Sequence, residues 1–415
     1  MKSFLSALLL ILGAGTCCAQ TPATAPQTLF QTYDTYHVPY RIPAIVTTSK
    51  GHLVAVADRR YCQLDIGFGK IDLAARISKN NGRTWGADTV IQRGSGIEGS
   101  TDCGYGDIAM VADRCSKRIL CMSVTGNVIY IKGTRANPNR IARWYSPDGG
   151  TSWTKADDVT DAFYQMLPNT RTMFIGSGRV MQSRIVKKDK YYRLYCSVLT
   201  RTQMDDKDVA CNSVIYSDDF GASWAVLGGT TLDGRDSPCL DGDEPKTEEL
   251  PNGDVILSSR KWYGRFFNVF HFQDIRANQE AGSWGQCVAS HDVPGGIQVG
   301  ANSCNGEIML INAVEAATKR PVKLMLQSLP FGEGRCDVGI WYKEILPNGI
   351  YSPRAFAHNW TKGLQVSHTT SAYSTMTLQK DGRIGFFWEE TQIDNGYNMV
   401  YQPLTIAEIT GGKYL

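Results

Sequence analysis

The chain has 415 residues, with 43 Lys+Arg against 40 Asp+Glu, 42% hydrophobic and 20% charged residues. That composition excludes disordered, collagenous and coiled-coil classes, and a net charge of +3 gives no electrostatic reason to expect nucleic acid as a partner. Forty-one glycines favour a chain with many tight turns.

The chain opens with Met1, Lys2 and an apolar run from Phe4 to Leu12, followed by small residues. This pattern predicts a secretory signal peptide over residues 1–19, cleaved after Ala19, and hence a secreted or periplasmic protein. Cys17 and Cys18 also invite a lipid-anchored reading, but Ala14, Gly15 and Thr16 before them offer no leucine at the usual place. The run is too short to span a bilayer, and no later stretch matches its hydrophobicity, so no membrane span is expected. Ten cysteines remain, none spaced as CxxC. The sequence leaves open whether any are bridged; Cys103/Cys115 and Cys115/Cys121 are nearest in sequence. The six histidines show no ligand spacing, and neither a metal nor a cofactor is expected. Asn359-Trp360-Thr361 is a glycosylation sequon, relevant only in a eukaryotic host.

Next come short apolar runs that read as strands: Leu53–Ala57, Leu73–Ile77, Ile119–Val124, Ile141–Tyr145, Tyr192–Val198, Val214–Tyr216, Val255–Ser259, Lys323–Leu326 and Ile384–Trp388. Pro251-Asn252-Gly253, Pro347-Asn348-Gly349 and Asp381-Gly382 are turn signals between them. Helical patterning is scarce, and Asn312–Lys319 is its clearest candidate.

Three segments, beginning at Ser78, Ser146 and Ser217, share the pattern Ser-x-Asp-x-Gly-x-Thr/Ser-Trp, with Asn80 replacing Asp in the first. Their starts lie about 70 residues apart, a period typical of repeat architectures. The Asx side chain can bond nearby backbone N–H groups, glycine supplies a positive φ, and the tryptophan covers the hairpin. An all-β fold follows, a six-bladed β-propeller at about 66 residues per blade, with residues 20–415 as one domain.

These repeats resemble the Asp boxes of sialidases, and Tyr40-Arg41-Ile42-Pro43 resembles that family's Phe/Tyr-Arg-Ile-Pro signature. The likeness runs from about Arg41 to Glu389 and is nearest to the bacterial exo-α-sialidases of glycoside hydrolase family 33. A sialic acid glycoside carries a carboxylate on its anomeric carbon. Gripping that group calls for fixed bidentate donors, which arginine supplies better than lysine. A carboxylate nucleophile would be repelled by the substrate's own carboxylate, whereas a tyrosine oxygen relieved of its proton by a glutamate would not. Sialidases with a tyrosine nucleophile are indeed an exception to the usual pair of carboxylates.

The resemblance implies Arg41 as the first carboxylate-binding arginine. It implies Asp65 as the acid/base, with Asp58 and Asp72 as rivals, and Arg60, with Arg59 as rival, as its arginine neighbour at the substrate. Gly106-Asp107-Ile108-Ala109-Met110-Val111 resembles the family's Asp-Pro-x-Leu/Val-Val segment without its proline, which puts Asp107 near the ring substituents or makes it a strand-capping residue. The run from Asp243 to Arg260 resembles a Glu-x-x-x-x-Glu-Leu-x-x-Gly hairpin. There Glu244 polarises the nucleophile and Arg260 is the second clamp, with Glu248 and Glu249 as rivals. Two strands joined by a turn would return Arg260 to the end of the hairpin that holds Glu244. Arg335 is the third clamp, with Arg354 as its alternative. Tyr373, followed by Ser374 and later by Phe387-Trp388-Glu389, matches the nucleophile segment, with Tyr397 and Tyr401 as rivals.

The implied activity is retaining hydrolysis of terminal α-linked sialic acids on glycoproteins, glycolipids and oligosaccharides, by a monomer. The alternatives are a trans-sialidase or intramolecular trans-sialidase with the same site, or a non-catalytic Asp-box glycan-binding propeller. An Asp-box hydrolase of neutral glycans would have no use for three clamp arginines.

Overall fold

A computed structural model describes residues 24–205, 207–229, 234–347, 349 and 351–415. The expected signal peptide, Cys17 and Cys18, and Asn348 of one expected turn lie outside the described residues. Among the described residues no helix is long and apolar enough to cross a membrane.

The protein is mostly β, and its strands form antiparallel meanders. The first and last parts of the chain share one eight-stranded sheet. Ser371–Leu378, Ile384–Ile393 and Gly396–Leu404 run beside Tyr40–Thr47, Leu53–Arg60, Ile71–Ser78 and Thr89–Gln92, while Gln27–Phe30 pairs with Gly396–Leu404. The two halves of this sheet meet through one residue pair, Tyr40 with Tyr397. The next sheet holds Gly104–Ala112, Ile119–Gly126, Arg140–Ser146 and Asp157–Asp158, with Gly178–Arg179 added in parallel beside Gly104–Ala112. A third is built on the long hairpin Tyr191–Met204 and Lys207–Ser217, flanked by Thr170–Ile175 and Ala225–Val226. A fourth runs Pro245–Glu249, Val255–Lys261, Gly264–Asp274 and Asn278–Trp284, and a fifth Ile308–Val314, Pro321–Pro330, Val338–Ile345 and Thr361–Gln365.

The apolar core lies between neighbouring sheets. Val56, Leu73 and Val46 pack on Met110, Ile119 and Trp144, and Leu120 and Met122 pack on Met173, Leu194 and Val198. Tyr195 and Val214 meet Leu257 and Phe270, and Ile256 and Phe267 meet Leu310 and Met325. Leu324 and Ile340 meet Met376, Phe386 and Trp388, and Phe387 and Met399 meet Ile45 and Ala55. Inner strands such as Leu53–Arg60 and Gly104–Ala112 are buried on both faces, so residues 53–57 and 108–112 read as continuous apolar runs rather than alternating ones.

The three repeats occupy one structural position, the turn that leads into the last strand at one end of the sheet. In each, the serine Oγ accepts from the glycine N–H: Ser78 from Gly82 at 2.8 Å, Ser146 from Gly150 at 2.8 Å and Ser217 from Gly221 at 2.7 Å. The Asx Oδ1 accepts from the backbone four residues on, Asn80 from Thr84 at 2.9 Å, Asp148 from Ser152 at 2.9 Å and Asp219 from Ser223 at 2.8 Å. Glycine is required at 82: its φ is +80°, and a Cβ there would lie 2.1 Å from the Tyr401 hydroxyl.

Two expectations change. Asn312–Lys319 is not a helix. Its first residues complete the strand Ile308–Val314, which pairs with Pro321–Pro330, and Glu315 bridges to Tyr414. Burial of Met309, Ile311 and Ala313 on one face outweighs the helical propensity of the alanines and Lys319. The cysteines at 103, 115 and 121 are thiols, the first and last buried and Cys115 exposed. The sulfurs that do approach each other belong to Cys239 and Cys287, at 3.2 Å.

Candidate active site

A cavity of about 570 Å³ opens where the first residues of several inner strands converge. Arg41, Arg60, Asp65, Asp107, Glu244, Arg260, Arg335 and Tyr373 all line it. Of the rivals, Arg59 is turned away toward Tyr40 and Asp88, and Glu248 and Glu249 bind Arg184 on other faces of their hairpin. Asp72 accepts the Gly94 N–H, Arg354 sits exposed on the short helix Pro353–Ala357, and Tyr401 is buried against Gln379. Tyr397 stands behind Arg41, its ring centroid 5.2 Å from the guanidinium carbon.

Backbone irregularity aims the inner-strand groups. Register shifts fall between Arg41 and Ala44, between Gly106 and Ala109, and between Ser371 and Ser374. Ile42 and Asp107 there adopt φ of 57° and 52°, a region costly for non-glycine residues. Two buried carboxylates stabilise these bulges. Asp58 accepts from the Asp107 N–H at 3.2 Å. Glu389 accepts from Ile42 N–H at 2.9 Å and from Tyr373 N–H at 3.0 Å. The same carboxylates hold arginines: Arg60 Nη2 lies 2.9 Å from Asp58, and Arg41 Nε donates to Glu389 at 2.6 Å.

Tyr373 lies at the floor. Its hydroxyl donates to Glu244, 2.6 and 2.7 Å from the two carboxylate oxygens. The hairpin explains the meeting of Glu244 with Arg260. Pro245 pairs with Ser259, so Arg260 falls opposite Glu244, donating its N–H to the Glu244 carbonyl at 3.0 Å. Its Nη1 also donates to Glu244 Oε2 at 2.7 Å and to the Tyr373 hydroxyl at 3.0 Å, while Nε donates to Ser303 Oγ at 2.9 Å. Arg41 and Arg335 flank the Tyr373 ring, their guanidinium carbons 5.5 and 5.4 Å from its centroid. Three guanidiniums thus surround one phenol.

Burial alone would raise the Glu244 carboxyl, but the charge of Arg260 and the hydrogen bonds from Tyr373 and Arg260 outweigh it and leave it below its ordinary value. Burial, then the Glu244 charge, push Tyr373 well above an ordinary phenol, with Arg260 and Arg335 opposing. At rest the pair is therefore a carboxylate holding a neutral phenol.

On the opposite side, Arg60 collects three carboxyls: Asp58 at 2.9 Å, Asp65 at 3.2 Å and Asp107 at 3.8 Å. Asp65 sits on the loop after Leu53–Arg60 with its side chain 56% exposed, open to solvent and to an incoming group. Asp107 is 3% exposed and its Oδ2 accepts no hydrogen bond. Burial first, then the charges of Asp65 and Asp58, push its carboxyl well above the usual range, with Arg60 opposing. Burial therefore favours the neutral form of Asp107, and it likewise raises Asp58, to about 7.

Sequence reasoning missed the hydrogen-bond work of Glu389, the Ser303 prop and the apolar wall of Tyr130, Phe174 and Leu199. Glu389 was in view only as part of the tyrosine's pattern, and nothing in the loop around Ser303 marks it. Trp262, 56% exposed at the cavity edge, lies two residues after Arg260 and was equally unmarked. Among the described residues no group of three or more His, Cys, Asp and Glu could hold a metal ion.

Comparison with known proteins points to the sialidases. A BNR repeat-like domain matches residues 42–241. A sialidase from Micromonospora viridifaciens is 24% identical over 371 residues, covering 84% of this chain and 50% of that protein. A sialidase from Paraclostridium sordellii is 27% identical over 241 residues, 53% of this chain and 52% of the relative.

The chain is a relative of the bacterial sialidases.

It spans about half the length of these two curated relatives. Its fold is similar to that of a solved mutant of the NanB sialidase from Streptococcus pneumoniae, with TM-score 0.67, 15% identity and coverage of 92% of this chain and 71% of the other. The intramolecular trans-sialidase from Ruminococcus gnavus, solved with oseltamivir carboxylate, gives TM-score 0.64 at 15% identity, covering 89% and 95%.

Proposed function

We propose that the protein is a retaining exo-α-sialidase that removes terminal α-linked sialic acid from glycoproteins, glycolipids and oligosaccharides. The observation that carries this reading is the Tyr373 hydroxyl held 2.6 Å from Glu244 within a ring of Arg41, Arg260 and Arg335. Three fixed guanidiniums suit a carboxylate on the reacting carbon, and a neutral phenol can approach that carbon without charge repulsion.

In the first step the Tyr373 oxygen bonds to the anomeric carbon as its proton passes to Glu244. The glycosidic bond breaks, and Asp65 gives its proton to the leaving oxygen. In the second, Asp65 takes a proton from water, whose oxygen attaches to the anomeric carbon. The tyrosine oxygen leaves and recovers its proton from Glu244. Two displacements give net retention. Asp107, its carboxyl raised by burial and 3.8 Å from Arg60, faces the ring substituents with Arg60 itself.

The sheet arrangement supports a six-bladed propeller. Divided at the Tyr40–Tyr397 pair, the eight-stranded sheet gives two four-stranded groups, and with the other four sheets makes six. Six apolar cores join these groups in a cycle. Residues 20–415 act as one catalytic domain, exported by a leader over 1–19 and working as a monomer.

Incubation with α2,3- and α2,6-sialyllactose, followed by NMR, tests the reading. Free sialic acid should appear first as the α-anomer. Release of the β-anomer first, or no release, would refute it, while an anhydro or transferred product would assign the trans-sialidase chemistry that the same residues permit. A fluorinated sialoside should label the Tyr373 peptide of the wild type and leave Tyr373→Phe unlabelled.

A further inference from the structure

Outside the cavity, the cluster with unassigned chemistry is a pair of thiols. Cys239 is fully buried in the short strand Cys239–Leu240, which pairs with Asn212 and Cys211 on the Lys207–Ser217 strand. Cys287 is half-buried and precedes Val288, which pairs with Phe267. The two residues are 48 apart in sequence, belong to different sheets, and bring their sulfurs to 3.2 Å. Three of the other described thiols have different surroundings: Cys336 donates to the Glu333 carbonyl, Cys196 to that of Ser197, and Cys121 is sealed in an apolar core.

Cys239 also touches the chain that feeds the cavity. Its sulfur lies against Gly242, where an added Cβ would meet it at 2.6 Å. Asp241, Gly242, Asp243 and Glu244 follow as cavity-lining residues. This segment leans on Asn212, whose Nδ2 donates to the Asp243 carbonyl at 3.0 Å, and on the Arg260 carbonyl, which accepts the Asp243 N–H at 3.1 Å.

We infer that Cys239 and Cys287 are an oxidisable dithiol whose disulfide ties the Asp241–Glu244 segment to the neighbouring sheet. The sulfurs need to close by about 1.2 Å to reach bonding distance. The oxidant is an external small-molecule or protein disulfide. Cys287, the half-buried partner, gives its proton to solvent and its thiolate attacks the oxidant to form a mixed disulfide, releasing one thiolate; the Cys239 contact and burial hold this thiol above its ordinary value, so the step is slow at neutral pH. The Cys239 thiolate then attacks the Cys287 sulfur and releases the second. Two protein thiols are oxidised, one external disulfide is reduced, and the two protons lost by the protein end, through solvent, on the two released thiolates. The bridge closes a long loop, so it restricts the unfolded chain more than a short-loop bridge would.

The test uses the full chain and needs no sialoside, so it stands apart from the proposed activity. Protein incubated with oxidised glutathione is digested and mapped by mass spectrometry under non-reducing conditions. The expected result is one linked species joining the Cys239 and Cys287 peptides, lighter by two hydrogens than their sum and cleaved by dithiothreitol. The oxidised chain should melt a few degrees above the reduced one. Cys287→Ser, at the half-buried position, should fold, form no such species and show no oxidation-dependent shift. Free alkylation of both sulfurs after oxidation would overturn the proposal. So would a glutathione adduct that persists on Cys287, a link from either residue to another cysteine, or identical melting of bridged and reduced chains.

Discussion

Glu389→Gln should damage stability and catalysis together. Glu389 is fully buried and accepts four donors: Arg41 Nε at 2.6 Å and Nη2 at 3.3 Å, Ile42 N–H at 2.9 Å and Tyr373 N–H at 3.0 Å. The donors divide between its two oxygens, Oε1 taking Arg41 Nε and Ile42, and Oε2 taking Arg41 Nη2 and Tyr373. Glutamine can keep one set only, because its amide nitrogen turns a donor toward the other. Keeping Oε1 leaves the Tyr373 N–H unsatisfied, at about 1–3 kcal/mol. It also leaves Arg41 without its counter-charge; breaking a buried ion pair costs about 3–5 kcal/mol. The Arg41 side chain is 14% exposed to the cavity, so water recovers part of this and the total should fall at the low end of the sum, about 4 kcal/mol. Glu390→Gln is the matched control: Glu390 is half-buried and accepts only the Trp388 Nε1 at 2.6 Å, a loss of about 1 kcal/mol. Urea midpoints at equal slope measure both variants. Displacement of Tyr373 and Arg41 should also lower kcat/KM on a sialoside about 10²-fold. A Glu389→Gln chain as stable as Glu390→Gln would refute the dual role of this carboxylate.

Asp65→Ala should lose about 10²–10⁴ in rate on natural sialosides and much less on substrates whose leaving group needs no proton; equal losses on both would reject Asp65 as the acid. Asp107→Asn probes the proton in the Arg60 cluster. A carboxyl raised in the folded state adds stability that is full below its unfolded value, about 3.9, and is lost as pH rises through the folded value. The wild type should therefore lose more stability than Asp107→Asn as pH rises above the unfolded value, and urea midpoints that run in parallel would refute the raised Asp107 carboxyl. Asp148→Ala removes acceptors for Ser152 N–H, Thr151 N–H and the Ser152 hydroxyl in an exposed turn. It should cost about 1–2 kcal/mol and leave kcat/KM unchanged, so an activity loss would tie that turn to the cavity.

The legible features were those with local chemistry. The serine-to-glycine and Asx bonds of the three repeats span four residues, so the turn can be read from its own sequence. The Glu244–Arg260 contact also follows from counting along one hairpin. The Glu389–Arg41 pair spans 348 residues, and the Cys239–Cys287 contact joins two sheets, so no local pattern announces either. Asn312–Lys319 misled for the same reason in reverse: its residues suit a helix locally, but the strand Pro321–Pro330 and the core beneath Ile311 decide their conformation.

Site geometry and strand irregularity are one problem in this molecule. A regular strand alternates its side chains between two faces, so it cannot freely choose which groups its first residues present to a shared cavity. The register shifts at Arg41, Asp107 and Tyr373 break that alternation, and they cost strained φ values at Ile42 and Asp107 and ladder N–H groups that lose their strand partners. Asp58 and Glu389 answer both needs, each taking freed N–H groups and fixing Arg60 or Arg41 with the same carboxyl group. An apolar residue at either position could fill the space but would satisfy neither the backbone nor the guanidinium. The buried charge is thus tied to the bulge, and relaxing one into a regular ladder would withdraw the arginine that the other holds at the cavity.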